Sequence, residues 1–337
     1  MDVLKVGVIG CGAIGREHIK RLHNKLQGSR VVAVMDVFPE SAQRGADLVG
    51  SDCKIYDNIE GIVNDSDVDA LVVTTPGFAH KEPIMAAIKA GKPVFSEKPL
   101  ATTAADCKEI VDAEMAGGKK LVQVGFMRRY DKGYRQVKEL LDGGTFGKPL
   151  LAKCTHRAIS VDPSYTTDMA VTDTAIHEID CMHWLLDDDW TQVQVIMGAD
   201  TKHAHEGLKD PQIMIFKSKK GYTVILEVYV NSNFGYDINC EVVCEEGVIN
   251  LPAPAYPTVR KNQMISTPIE QDWINRFIDS YDVELQEWID DTKKGEVNGP
   301  SAWDGYIAAV TADGLVASQT SGVMEDVSVG ETPEFYR

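Results

Sequence analysis

In the stretch VTDTAIHEID, residues 171–180, Asp173 and His177 stand four positions apart, a spacing that stacks two side chains on one helical face. Glu178 and Asp180 follow, and then Cys181 and His183. Three readings fit those residue types. A carboxylate one turn from an imidazole can form a proton relay, because histidine titrates near neutral pH and the acid orients the ring and stabilises the imidazolium. Asp173, His177 and Cys181, at i, i+4 and i+8, are also a metal-ligand pattern. The third reading is the charged surface of an ordinary helix. A catalytic metal site draws ligands from more than one element. The nearest second cluster, His203 and His205 in KHAHE, sits among charges in a loop. No metal is therefore expected, and Cys181 is assigned to packing.

A second reactive group lies upstream. FSEKPLA places Glu97 and Lys98 where a short apolar run ends, and the following proline stiffens the connection. An ammonium held there can hydrogen-bond a reacting oxygen and stabilise developing alkoxide charge. With His177 as base and Asp173 as its partner, these groups suit removal of a proton from a secondary alcohol as its carbon is oxidised.

The elements that must position these groups change character near residue 125. LKVGVIG, RVVAVMD, DALVVTT, KPVFSE and KLVQVGF are Val-rich runs, the mark of strands covered on both faces. Helical patterns such as GREHIKRLHNKL and HKEPIMAAIKAG lie between them, so the alternation predicts a doubly wound parallel sheet of α/β type. Lys98 then stands at the sheet's carboxyl edge, where ligands bind in such folds. Beyond the helix opening at Asp173, long strand patterns (TQVQVIMG, QIMIFKS, GYTVILEVYVNS, DINCEVVCEEGVINL) predict an α+β domain with a large, mostly antiparallel sheet. TVILEVYV is nearly continuous in apolar residues, which suggests that another subunit covers its second face. Residues 253–268 read as a loop. Helical periodicity resumes near 270, with Trp273, Phe277, Tyr281 and Leu285 on one face, and a final helix covers roughly 301–320. The expected domains are 1–125 and 126–337, the C-terminal helices packing back toward the first.

VIGCGAIG sets Gly10, Gly12 and Gly15 as G-x-G-x-x-G between a strand and a helix. The glycines permit a tight turn, close approach of a pyrophosphate and close helix–strand packing. The helix start, with Ala13 and Ile14, offers free N–H groups to phosphates. Asp36 closes the second strand, with Val37 beside it and no arginine to receive a 2′-phosphate, so NAD is favoured over NADP. Thr74, Thr75 and His80 in VTTPGFAH, and Glu97 with Lys98, join the same edge as cofactor contacts. His80 reads equally well as a structural cap.

The glycine pattern, the Glu97-Lys98-Pro99 triplet and the D-x-x-x-H of Asp173 and His177 together resemble the Gfo/Idh/MocA oxidoreductases over essentially the whole chain. DMAVTDTAIHEIDCMHWL is most similar to their NAD-dependent inositol dehydrogenase branch. The resemblance implies a Rossmann domain, a homotetramer built by packing the second-domain sheets, and Lys98, Asp173 and His177 facing the nicotinamide. It also implies a substrate site lined by Met127, Arg128, His156, Thr174 and Tyr236, each of which reads equally as packing; Arg129 is assigned to a salt bridge, and Trp273 and Tyr281, two turns apart on one helix, either close over the nicotinamide or pack in the core. The implied reaction is oxidation of a ring hydroxyl of an inositol, myo-inositol first, to the ketone. One departure stands out: the His156-Arg157 pair is followed by Ala158 where that branch carries Asn. Oxidation of scyllo-inositol or of a sugar therefore stays open, as do a ketosugar reductase and a non-catalytic NAD-binding sensor. The joint presence of Lys98 and His177 argues against the sensor.

The 337 residues carry 34 basic and 51 acidic side chains, a net charge of −17, which argues against nucleic acid or an anionic membrane as partner. Seven scattered cysteines without a C-x-x-C pair suit a reducing, cytoplasmic setting. No apolar run approaches a membrane span.

Overall fold

The valine-rich runs of the first third become parallel strands. In the computed structural model, which describes residues 3–337, these are β1 (Leu4–Ile9), β2 (Ser29–Met35), β3 (Lys54–Tyr56), β4 (Ala70–Val73), β5 (Val94–Glu97) and β6 (Val122–Gly125). Helices α1 (Ala13–Lys20), α2 (Pro39–Asp47), α3 (Ile59–Asn64), α4 (Lys81–Ala90) and α5 (Ala104–Gly117) alternate with them. The strand order is β3-β2-β1-β4-β5-β6, every pair parallel. The order reverses at β1 and β4, so the crevice beyond their carboxyl ends is the switch point at which such sheets bind ligands.

The chain forms two units. One holds residues through Phe126 together with Tyr281–Ala309 and Val329–Arg337; the other holds Met127–Ser280 and Val310–Ser328. Residues 281–309 and 329–337 therefore belong with the parallel sheet, although they follow the second sheet in sequence.

The second unit contains α6 (Lys132–Asp142), β7 (Pro149–Arg157), α7 (Ile176–Leu186), β8 (Trp190–Met197), β9 (Gln212–Ser218), β10 (Thr223–Tyr229), β11 (Asp237–Cys244) and β12 (Gly247–Asn250). A ribbon of β13 (Val259–Lys261) and β14 (Met264–Ser266) follows. Then come α8 (Trp273–Lys294) and α9 (Ala302–Ser321), whose ends fall in different units, and β15 (Glu325–Asp326). Seven strands form one sheet in the order β12-β11-β7-β10-β9-β8-β15. All its pairs are antiparallel except β7 with β10.

Two local features differ from the sequence expectation. Residues 253–268 are not all loop, since β13 and β14 pair within them. The helix carrying Asp173 opens at Ala170 with a π-helical stretch, Ala170–Ala175, before α7 begins. In β10 only alternate side chains are buried, Val224, Leu226 and Val228, while Ile225 of the same strand is 38% exposed in the single chain. The second face of TVILEVYV, which carries Ile225, is thus open in the single chain.

In the first unit, Leu285, Trp288 and Ile289 of α8 fill the core against Leu4, Val8 and Phe95. The C-terminal tail is fastened by a buried acid. Glu114, 0% exposed, accepts the backbone N–H groups of Leu121 and Val122 at 2.5 and 2.7 Å and the Tyr336 hydroxyl at 2.5 Å. Burial pushes the Glu114 carboxyl up, and these three donors oppose that rise. Tyr336→Phe leaves one oxygen of a buried acid without its donor, a loss of about 1–3 kcal/mol. Urea denaturation should therefore show a lower midpoint for this variant, and an unchanged midpoint would remove the tail from the stability of the unit.

Candidate active site

Along the carboxyl edge of the parallel sheet, backbone sterics account for two of the three motif glycines. Gly10 has φ +98°, and a Cβ there would meet Thr75 N at 2.6 Å. A Cβ on Gly15 would lie 2.1 Å from the Gly10 carbonyl oxygen and 2.7 Å from Thr74 Oγ1. The Thr74 hydroxyl closes the same turn by donating to Gly10 O at 2.6 Å. Gly12 is different: it caps α1 with no side-chain hydrogen bond, and no protein atom lies within 4 Å of its built Cβ. Nothing in the chain's own packing requires a glycine at this position. A backbone that must admit a pyrophosphate does.

Asp36, at the end of β2, has both oxygens held by backbone. Oδ2 accepts the Cys11 N–H at 2.7 Å and Oδ1 the Phe38 N–H at 2.9 Å, so the carboxylate is fixed beside the glycine turn. Val37 is 75% exposed next to it. Ala13 and Ile14 open α1, and Thr75 Oγ1 is buried without a hydrogen-bond partner in the protein. His80, 1% exposed, spans two loops: Nδ1 lies 2.6 Å from Pro99 O and Nε2 2.7 Å from Thr75 O. Burial pushes its imidazole down against the pull of those carbonyls. A neutral ring donates to only one of them at a time, so His80 works as a strut between the segments that present Thr75 and Lys98. Glu97 and Lys98 end β5, the Lys98–Pro99 peptide being cis. Tyr281 stands apart from this edge series, 6% exposed, with its ring 5.7 Å from His18 and the Arg21 guanidinium 5.3 Å above it.

The second unit gathers the other candidates around α7. Nine of its eleven residues are buried, His177, Glu178 and Asp180 among them, so its polar groups must find partners inside. Glu178 pairs with Arg128 through Oε1 and lies 3.0 Å from His156 Nδ1 through Oε2. Arg128 Nη2 is 3.1 Å from that same nitrogen, and its guanidinium lies 5.4 Å from the Phe277 ring. His156 in turn has the His177 ring at 6.2 Å and the Tyr236 ring edge-on at 5.6 Å. Burial pushes the Tyr236 phenol up, with Arg128 acting against it. Arg128, His156, Tyr236 and His177 thus form one cluster. Asp173 is exposed on the π-helical stretch one turn before His177. Thr174 shares a 2.6 Å hydrogen bond with Tyr165, and Met127 is 1% exposed. Arg129 makes the salt bridge assigned to it, with Asp180. Burial pushes the Cys181 thiol far up, which favours the thiol over the thiolate that metal binding needs. Among the described residues no group of three or more His, Cys, Asp or Glu side chains could hold a metal.

Two participants escaped sequence reasoning. Glu178 adjoins His177, yet its charge reads as surface until α7 is known to be buried. His18, one turn beyond Gly15, makes a hydrogen bond to Glu97 that no spacing rule connects.

The oxidoreductase-family model for an NAD-binding Rossmann fold matches residues 4–126, and the model for the same family's C-terminal alpha/beta domain matches 138–329. The chain belongs to the Gfo/Idh/MocA oxidoreductases. It is 53% identical over 333 residues to an inositol 2-dehydrogenase of Serratia proteamaculans and 51% identical over 334 residues to one of Klebsiella pneumoniae, covering 99% of each chain. Among solved structures it resembles myo-inositol dehydrogenase from Lactobacillus casei in complex with NAD(H) and myo-inositol. That match has a TM-score of 0.97 and 45% identity, and covers 99% of this chain and 100% of that one. The scyllo-inositol dehydrogenase of the same organism, at 23% identity and a TM-score of 0.87, shares the fold.

The residues present fit NAD: a glycine at the α1 N-cap with open space around it, a fixed acid at the end of β2, and an orphan hydroxyl at Thr75. Two substitutions separate fold from cofactor. Gly12→Ala should leave thermal stability unchanged and weaken NAD binding roughly tenfold or more, about 1.4 kcal/mol. Gly15→Ala must push a backbone carbonyl aside and should lower both. Calorimetric titration beside thermal melts checks the pair. NAD binding of full strength in Gly12→Ala would show that this glycine does not face the pyrophosphate.

Proposed function

We propose that this protein oxidises a ring hydroxyl of an inositol, myo-inositol first, to the ketone with NAD. The observation that carries the reading is full-length identity of about one half to inositol 2-dehydrogenases, in a chain that keeps Lys98, Asp173 and His177. When bound, NAD supplies the two-electron acceptor. Gly10, Gly12 and Gly15, with the α1 N-terminus at Ala13 and Ile14, hold its pyrophosphate. Asp36 and Val37 hold the adenosine ribose, and Thr74, Thr75, His80, Glu97 and Lys98 line its path along the sheet edge.

His177 takes the proton of the reacting hydroxyl. Asp173 orients the ring and stabilises the imidazolium, and the Lys98 ammonium stabilises the oxygen as charge develops on it. Arg128 and His156, locked by Glu178, present a polar wall for the remaining ring hydroxyls, with Tyr236, Thr174 and Met127 beside them. Tyr281, buried against His18, supports the cofactor side. Ala158 in place of Asn favours a second reading, scyllo-inositol as the better substrate. The protein acts on small polyols in the cytoplasm, a setting that its seven unbridged cysteines suit. It acts as a homotetramer, supported by exposed Ile196, Ile225 and Val248 on the strands of the second sheet.

NADH formation from NAD with myo-, scyllo- and chiro-inositol, glucose and xylose tests the reading, with chelator in a parallel set. Turnover confined to non-inositol sugars would sink it. His177→Ala should lower kcat by about 10²–10⁴-fold with NAD affinity retained; undiminished kcat would remove His177 as the base. Asp36→Ser with Val37→Arg should move preference toward NADP, by removing repulsion and adding a phosphate partner, and an unaltered NAD to NADP ratio of kcat/KM would exclude Asp36 as the ribose acid. Light scattering after gel filtration should give the mass of four 37.0 kDa chains.

A further inference from the structure

A carboxylate stands immediately before the lysine assigned to the reacting oxygen, and a carboxylate free to turn would pair with that ammonium and cancel its charge. Glu97 is 6% exposed. Its Oε2 accepts the backbone N–H of Lys98 at 3.2 Å, and its Oε1 lies 2.7 Å from Nε2 of His18. His18 comes from α1, is 0% exposed, and packs between Phe95 and Tyr281, with ring centroids at 6.1 and 5.7 Å. Its Nδ1 is buried with no hydrogen-bond partner. A proton on Nδ1 would be a buried, unsatisfied donor, so the ring's proton belongs on Nε2, where it is donated to Glu97. The neighbouring strand leaves room for this arrangement: a Cβ on Gly125 would come within 3.3 Å of both Cα and the carboxyl carbon of Glu97.

We propose that His18 is a positioning residue for Lys98. By holding one oxygen of Glu97 while the Lys98 N–H holds the other, it fixes the end of β5 and keeps the adjacent carboxylate from neutralising the lysine. The proposal rests on the reading that Lys98 stabilises the reacting oxygen. It reaches beyond that reading because His18 acts on Lys98 through the carboxylate of Glu97. Gly15 packs α1 against the β1 turn, and that contact delivers His18, one turn later on the same helix, to a strand 79 residues away.

The test uses His18→Leu, His18→Gln and the double variant His18→Leu with Glu97→Gln in the full-length protein. His18→Leu should lower kcat for inositol oxidation on the order of 10–100-fold, the scale of a misplaced reactive group. His18→Gln, which keeps an N–H donor, should retain most of the wild-type kcat. The double variant should exceed His18→Leu, because an amide cannot neutralise Lys98. A double variant slower than His18→Leu, or equal loss in His18→Leu and His18→Gln, would overturn the proposal. A crystal structure of His18→Leu decides independently of any substrate. Glu97 swung away from the Lys98 N–H toward its ammonium supports the role, and Glu97 unmoved overturns it. If the wild type turned over no inositol, the functional reading would fall while the position of Glu97 still judged the role of His18.

Discussion

No side chain fits between the third glycine of the turn and the strand end it folds against. An added Cβ at Gly15 would sit 2.1 Å from a backbone oxygen, far inside any van der Waals contact, so α1 packs at a distance only glycine allows. The Thr74 hydroxyl, bonded to the same carbonyl, ties β4 into that contact. Much else at the sheet edge follows. With α1 pressed against β1 and β4 at the point where strand order reverses, its free N–H groups open onto the crevice. The Cys11 N–H meets the acid at the end of β2, and His18 reaches the acid at the end of β5. A contact that reads as mere tight packing thereby sets the orientation of two carboxylates on separate strands.

The second unit solves a costlier problem. Burying an arginine and a glutamate takes two charges out of water at several kcal/mol each, and such a pair is seldom a net source of stability. Arg128 and Glu178 are each 1% exposed, and His156 Nδ1 lies within 3.1 Å of both, free to accept from the guanidinium or to donate to the carboxylate. What the cluster provides is direction. Glu178 takes the Arg128 guanidinium on one oxygen and faces His156 Nδ1 with the other, so the His156 ring is held against a fixed acid, and the nearby rings of His177 and Tyr236 pack against it. A polyol carries several hydroxyls around an aliphatic ring, and telling one from another requires polar groups that do not turn to suit every guest. The stretch VTDTAIHEID thus combines one exposed acid, Asp173, with His177, Glu178 and Asp180 inside the protein. Two of those three, Glu178 and Asp180, are neutralised by Arg128 and Arg129.

The parallel sheet was legible because its signals are local. A Val-rich run, a glycine turn and a helix sit within twenty residues, and Asp36 closes the next strand at the distance a ribose requires. The edge residues Thr74, Thr75, Glu97 and Lys98 could be read the same way, since each follows a strand whose hydrophobic run announces it. The pairing of strand β7 could not be read, although Lys153, Thr155 and Arg157 alternate with its buried Ala152, Cys154 and His156, because neither the parallel partner β10 nor the antiparallel partner β11 is near in sequence. The π-helical stretch before α7 has no compositional mark either. The partners of Glu178 lie 50 and 22 positions away and that of Glu97 lies 79 away, separations across which no periodicity carries information. What escaped was therefore pairing, while residue identity was mostly in view.

Ala158 shows how far such pairing bears on selectivity. Its N–H donates to Tyr229 O and its carbonyl accepts from Ser232 N–H, so its backbone is committed and it contributes only a methyl group. A site built to hydrogen-bond a hydroxyl rejects a ligand that lacks it by orders of magnitude, because its own buried polar atoms are left unpaired; an apolar wall rejects an added hydroxyl only weakly. On the proposed substrate site, a methyl in place of an amide at this position would relax discrimination locally. Stereochemical choice then rests on groups that cannot yield. On the proposed substrate site, those groups in the second unit are Arg128 and His156, both facing the buried carboxylate of Glu178.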